Sequence, residues 1–89
     1  MVATVATVLG FHFNISTTEW LIQIMMIAIV LVSESLNTGI EKLSDFIHPE
    51  YHEKIKVIKD ISAGAVGIAA IISLIVGGII YIPKIALLF

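Results

Sequence analysis

The sequence predicts an all-α integral membrane protein with three transmembrane helices, and three observations predict it. Of the 89 residues, 58% are hydrophobic and only 13% are charged, and the mean hydropathy of +1.07 lies well outside the range of a soluble domain. Residues Ile61 to Ile82 form an uncharged stretch of 22, enough to cross a ~30 Å hydrocarbon core with some tilt. Residues Trp20 to Ile40 form a second stretch of 21, interrupted by one charge, Glu34.

Each element has its own signals. Val2 to Phe13 is apolar but holds 12 residues, which reach roughly 18 Å and fall short of a span. It has no basic n-region and no A-x-A-like cleavage site, so it reads as a transmembrane helix entered part-way along, not as a signal peptide. Ser16-Thr17-Thr18-Glu19 has the S-x-x-E form of a capping box and predicts that helix two starts at about Thr17. That helix should run past the membrane surface to about Phe46, where His48-Pro49-Glu50 breaks it. Helix three is expected from about Glu50 to Ile82, with Pro83 ending it.

Charge sets the orientation. Lys42, Lys54, Lys56 and Lys59 flank the loop between helices two and three, so the positive-inside rule places that loop in the cytoplasm. Phe11, Phe13, Trp20 and Tyr81 would form an aromatic belt on the other side, where Lys84 is the lone exception. The outer half of the bundle is expected to lack polar residues. Asn14-Ile15-Ser16 has the form of a glycosylation acceptor, but it sits too close to the membrane to be expected to serve as one.

Several function classes are excluded. The chain has no cysteine, hence no disulfide or thiolate metal site. A net charge of −2 and the absence of arginine argue against nucleic acid as a partner. Neither a G-x-x-x-x-G-K-[ST] loop nor a Gly-rich kinase loop occurs, so conventional nucleotide-binding folds are set aside.

What remains is a polar row. Glu34, Asn37, Glu41 and Asp45 return to nearly one direction at ~100° per residue and line one stripe of helix two. Charge is costly in hydrocarbon, so such a stripe faces another helix, another subunit or a wet cavity. Three helices of this length cannot enclose it, which predicts oligomerisation. Antiparallel pairing through the short loop brings Glu41 and Asp45 near Lys59 and Asp60. Oxygen donors of this kind suit Mg²⁺ completed by substrate phosphates, with lysine as a point-charge partner for phosphate. Glu34, the deepest carboxylate, is the candidate general base. The bland alternative is a polar network that only fixes helix packing.

Other features are weighed the same way. Ala63, Gly67 and Ala70 form a small-xxx-small pattern on helix three, expected to serve close helix packing. Gly64, one turn beyond Asp60, leaves room for a ligand on the polar face. His48 and His52 have a metal-ligand spacing, but Pro49 breaks the helix between them and no dedicated metal site is expected there. Glu50 and His52 are instead candidates for the nucleotide edge of the site, and His12 reads as an interfacial histidine.

These residues carry a resemblance. Glu34-Ser35-Leu36-Asn37-Thr38-Gly39-Ile40-Glu41, then Asp45, Glu50-Tyr51-His52 and Lys59-Asp60-Ile61-Ser62-Ala63-Gly64-Ala65-Val66, resemble the bacterial diacylglycerol kinase and undecaprenol kinase family over about residues 20 to 82. The resemblance implies a homotrimer in the bacterial inner membrane, with active sites shared between subunits at the cytoplasmic surface. It implies transfer of the γ-phosphoryl group of ATP, with Mg²⁺, to a lipid hydroxyl.

Carried over residue by residue, the resemblance implies Glu34 as catalytic base and Glu41 as metal ligand. Asn37, Glu41, Asp45, Glu50, His52, Lys59, Asp60 and Gly64 would bind nucleotide, and Glu34, Asn37 and Ala63 would meet the lipid. Family members begin with an amphipathic surface helix and a longer first transmembrane helix. The expectation is therefore a single kinase domain over 1–89 that lacks that surface helix and part of the site.

Two other classes stay open. The same stripe could serve as the pathway of a small cation or proton conductor, or the chain could be a catalytically incomplete scaffold form of the kinase.

Overall fold

A computed structural model describes residues 1–89 and contains three helices, α1 (Val2–His12), α2 (Thr17–Ile47) and α3 (Glu53–Ala86). α2 and α3 pair as an antiparallel hairpin, and α1 folds against its open end. The molecule measures 54 × 19 × 18 Å, longer than the ~40–45 Å of a bilayer with its headgroups. Both α2 and α3 are long and apolar enough to cross a membrane.

The helix ends follow local chemistry. Asn14 takes φ 52° after α1, a left-handed conformation that asparagine tolerates. Ile15 N–H then reaches Gly10 O at 3.2 Å and Asn14 N–H reaches Phe11 O at 3.3 Å. This pair of bonds is a Schellman stop. α2 starts as predicted, with Glu19 N–H donating to Ser16 Oγ at 3.1 Å and Ser16 N–H to Glu19 Oε1 at 3.0 Å. It ends at Ile47, ahead of His48-Pro49.

Two boundaries of α3 differ from expectation. The helix starts at Glu53 and not at Glu50, because His52 supplies the cap, its Nδ1 accepting from Lys54 N–H at 3.1 Å. Nor does Pro83 end the helix, which continues to Ala86. The proline ring already has a helical φ, and so near the end its missing N–H removes a single bond. Leu87 N–H reaches Pro83 O at 3.3 Å and closes the final turn.

A heptad seam joins the long helices. Gln23, Val30, Asn37 and Ser44 recur every seven residues along α2, and Ile55, Ser62, Ala69 and Val76 do so along α3, all withdrawn from the surface. Sustained spacing of this kind keeps two helices in contact over many turns. Eight residues of 89 are buried, and Gln23, Ser44 and Ser62 are among them. Leu31, Ile61, Leu74 and Ile79 meanwhile point outward, each more than half exposed. A polar seam inside an apolar exterior inverts the soluble pattern and suits helices surrounded by lipid or by further copies.

The small-xxx-small residues lie off the seam of the hairpin. Ala70 is half-buried, but Ala63 is exposed and a Cβ on Gly67 would meet nothing within 4 Å. The heptad spacing instead brings Ser62, Val66 and Ala69 to the seam.

At the open end Ile15, Ile80 and Tyr81 form a small core against Leu9, Phe13, Trp20 and Val76. Gly10 permits this, since a Cβ there would lie 2.6 Å from the Trp20 ring. Tyr81 was expected in an outward aromatic belt, yet it is buried. Its hydroxyl donates to Gln23 Oε1, while Gln23 Nε2 donates to Ala6 O at 3.0 Å. One polar contact therefore ties all three helices, because a buried hydroxyl needs a partner.

Replacing Gln23 by Leu leaves the Tyr81 hydroxyl only its longer contact with Ala6 O, at 3.3 Å, and removes the Gln23 donor from that carbonyl. Thermal unfolding in detergent micelles should show a loss of about 1–3 kcal/mol. Adding Tyr81→Phe should cost less than the sum of the two single changes, as expected for coupled partners.

Candidate functional site

The loop end of the hairpin gathers charge from both helices. The last turns of α2 present Asp45, and the first turns of α3 present Lys56, Lys59 and Asp60. Lys59 Nζ bonds Asp45 Oδ1 across the helices at 2.5 Å, and Lys56 Nζ bonds Asp60 Oδ2 at 2.8 Å along α3. With Glu50 and His52 they line a concave site of about 210 Å³. The Lys59 and Asp45 side chains stay 34% and 62% exposed, so their pairing adds at most ~1 kcal/mol to stability. Its value is positional: it holds an ammonium and a carboxylate beside one cavity.

The rest of the polar row climbs α2. At ~1.5 Å per residue Glu41 lies roughly 6 Å, and Glu34 roughly 16 Å, along the axis from Asp45. Both carboxylates are exposed, whereas Asn37 is half-buried at the edge of the seam. Asn37 Nδ2 donates to Glu41 Oε1 at 3.4 Å, and Asn37 Oδ1 is buried with no partner. An unpartnered buried oxygen costs ~1–3 kcal/mol and is where a donor or cation gains most.

The opposing helix leaves this flank open. The cross-helix bonds Asp45–Lys59, Gln23–Tyr81 and Glu19–Lys84 join residues whose numbers add to 103 or 104. One register therefore holds along the hairpin, and it sets Ala63 level with Glu41, Gly67 with Asn37 and Ala70 with Glu34. A Cβ on Gly64 or on Gly67 would meet nothing within 4 Å.

The expected site thus divides in two. Asp45, Glu50, His52, Lys59 and Asp60 share the cavity at the loop. Glu34, Asn37 and Glu41 form a row leading away from it, with Ala63 level with Glu41, whereas Gly64 lies on the exposed back of α3 and is not brought to this row. The structure joins Asp45 to Lys59 as expected, but Asp60 pairs within its own helix. No cation of this copy bonds Glu34 or Glu41.

A resident metal cage is not present, since no three His, Asp or Glu side chains converge. The donor set fits a different arrangement. Mg²⁺ keeps most of its waters and takes one or two carboxylates plus phosphate oxygens. Glu41, with one oxygen facing Asn37 and the other free, is an oxygen donor of that kind.

Sequence reasoning missed the polar residues of the far half. Gln23, Ser73, Tyr81 and the Glu19–Lys84 pair, at 2.7 Å, all lie there, so the expectation that this half lacks polar groups is corrected. Apart from Ser73 Oγ, which has no partner, these side chains satisfy one another and the Ser16, Ala6 and Ile80 backbone. The available signal was the seven-residue spacing that puts Gln23 on the same line as Asn37.

Comparison with known proteins adds an independent line. The family model for prokaryotic diacylglycerol kinase matches residues 1–81. An undecaprenol kinase of Bacillus subtilis is 39% identical over 82 residues, covering 92% of this chain and 67% of that protein. A diacylglycerol kinase of Synechocystis is 45% identical over 56 residues, or 62% of this chain and 32% of that protein. The chain therefore spans about two thirds of the first relative and about a third of the second. No solved structure matches.

Substituting Lys59 by Met tests whether the cross-helix pair is positional. Unfolding in micelles should shift by less than about 1 kcal/mol, as for an exposed ion pair, while affinity for inorganic triphosphate should fall at least several-fold.

Proposed function

The chain belongs to the prokaryotic diacylglycerol kinase family, and from that premise we propose that it transfers the γ-phosphoryl group of ATP to the hydroxyl of a membrane lipid, diacylglycerol or undecaprenol. The observation that carries this reading is the arrangement on one flank of the hairpin. A cationic and carboxylate cavity at the loop is continued by an open row of oxygen donors, with small residues opposite. A water-soluble nucleotide enters at the loop, and a lipid hydroxyl meets its phosphoryl end farther along α2. The four lysines near the loop support a cytoplasmic orientation of that end in the bacterial inner membrane.

Phosphoryl transfer asks for position and charge neutralisation more than for covalent chemistry, so few side chains suffice. Lys59 offers a point charge to phosphate oxygens, with Asp45 orienting its ammonium. Glu41 would hold Mg²⁺, whose charge would offset the negative charge of the transferring group. Asn37 orients the Glu41 carboxylate and keeps its own unpartnered oxygen beside it. Glu34 lies about 10 Å farther along α2 than Glu41, in hydrocarbon, where the carboxylate accepts the proton of the lipid hydroxyl as the new oxygen–phosphorus bond forms and the bond from the γ-phosphorus to the β–γ bridging oxygen breaks, releasing ADP. Glu50, His52 and Asp60 bind the nucleoside end, and the bare flank at Ala63 admits the ligand.

A single copy leaves Glu34, Glu41 and the apolar exterior uncovered. A homotrimer would complete the site between subunits and exclude water from it.

ATP-dependent phosphorylation of diacylglycerol and of undecaprenol, measured side by side in Mg²⁺-containing liposomes, tests the reading. Phosphate on one lipid names the acceptor. Glu34→Gln and Glu41→Gln should each reduce turnover at least 100-fold, the scale of general base and charge-stabilising groups, while the detergent-extracted oligomer survives. Full activity in either variant refutes its role.

A further inference from the structure

His48 occupies a defined place at the loop. Its backbone N–H caps α2 by reaching Ser44 O at 2.9 Å. Its ring Nδ1 lies 2.8 Å from Glu50 O, and the ring meets that of His52 edge-on with centroids 5.0 Å apart. Both rings line the cavity that holds Asp45, Lys56 and Lys59.

The partners fix the tautomers. A carbonyl oxygen only accepts, so His48 Nδ1 carries the hydrogen and Nε2 keeps a lone pair in the neutral ring. His52 is the reverse: its Nδ1 accepts from Lys54 N–H at 3.1 Å, which leaves the hydrogen on Nε2. The residues lining the cavity therefore include one ring acceptor and one ring donor. Two histidines with both Nε2 atoms committed this way make a poor metal site, because the His52 nitrogen has no lone pair to give. They make a complementary pair for a flat heterocycle.

This step rests on the phosphoryl-transfer reading, which directs the triphosphate toward Glu41 and Glu34 and leaves the nucleoside at the loop. Adenine presents an amino donor at N6 beside an acceptor at N7, whereas guanine presents two acceptors, O6 and N7. We infer that His48 is a specificity-determining residue that selects adenine over guanine: its Nε2 accepts from the 6-amino group while His52 Nε2–H donates to N7. Guanine keeps the His52 bond but turns O6 toward the His48 lone pair. The hydrogen bond from Nδ1 to Glu50 O keeps the hydrogen off Nε2, which leaves that nitrogen able to accept.

Asparagine separates the two jobs of His48. Its amide can donate to Glu50 O in place of Nδ1, so His48→Asn keeps the turn and removes the reading nitrogen. The full chain in detergent micelles is titrated with the β,γ-imido analogues of ATP and GTP, with inorganic triphosphate as competitor. The wild-type protein should favour the adenine analogue by about 3- to 10-fold, as for one neutral hydrogen bond at a partly exposed site. His48→Asn should bring the ratio within about 2-fold and leave triphosphate affinity unchanged. Equal wild-type affinities, or a ratio that survives His48→Asn, overturn this assignment while the kinase reading stands. Failure of both nucleotides and of triphosphate to bind overturns the kinase reading and the assignment with it.

Discussion

Everything in this protein hangs on one polar seam between two long apolar helices. Lipid tails are as apolar as leucine, so burying aliphatic side chains between helices gains little in a bilayer. Hydrogen bonds and close packing must join the helices instead. Here the joining groups are Gln23 with Tyr81, Glu19 with Lys84 and Asp45 with Lys59, spread from the open end to the loop. Because all three obey one register, the hairpin has a single alignment, and a slip by one residue would break them together.

That register also builds the candidate site. It sets small residues of α3 level with the polar row of α2, so that Glu34, Asn37 and Glu41 look out over open space. The seam keeps Gln23 inside, where Tyr81 and the Ala6 carbonyl satisfy it, and holds the Glu34 and Glu41 carboxylates just off it, where no cation pairs them. Groups with satisfied partners fix structure, and groups without them are available for chemistry. Asn37 stands between the two classes, with one amide hydrogen directed at Glu41 and an oxygen bonded to nothing.

The two ends of the hairpin are finished differently. At the open end the Schellman stop, the capping box and the Ile15–Ile80–Tyr81 core clamp α1 to both long helices. At the loop end the closure is polar and solvated, made of ion pairs and two histidines whose ring nitrogens serve as caps and braces. Exposed pairs of this kind contribute little to folding. They leave the loop suited to binding a charged ligand, since part of each group's bonding capacity stays open.

The sequence by itself determined the helices, the membrane-crossing composition and the row of candidate residues, because these follow from local rules. Hydrophobic stretches have a length, Ser16 and Glu19 cap whatever helix follows them, and Glu34, Glu41 and Asp45 share a face at the α-helical pitch. Local rules misjudged the α3 boundaries, since Pro49 and Pro83 act according to what surrounds them and His52 was not read as a cap. Only the tertiary structure decided the pairing. It drew Tyr81 inward to Gln23, left Gly67 outside the seam and gave Asp45 to Lys59. Each of these depends on which group lies across from which. That is set by helix register, a property of two segments together that neither segment's sequence contains.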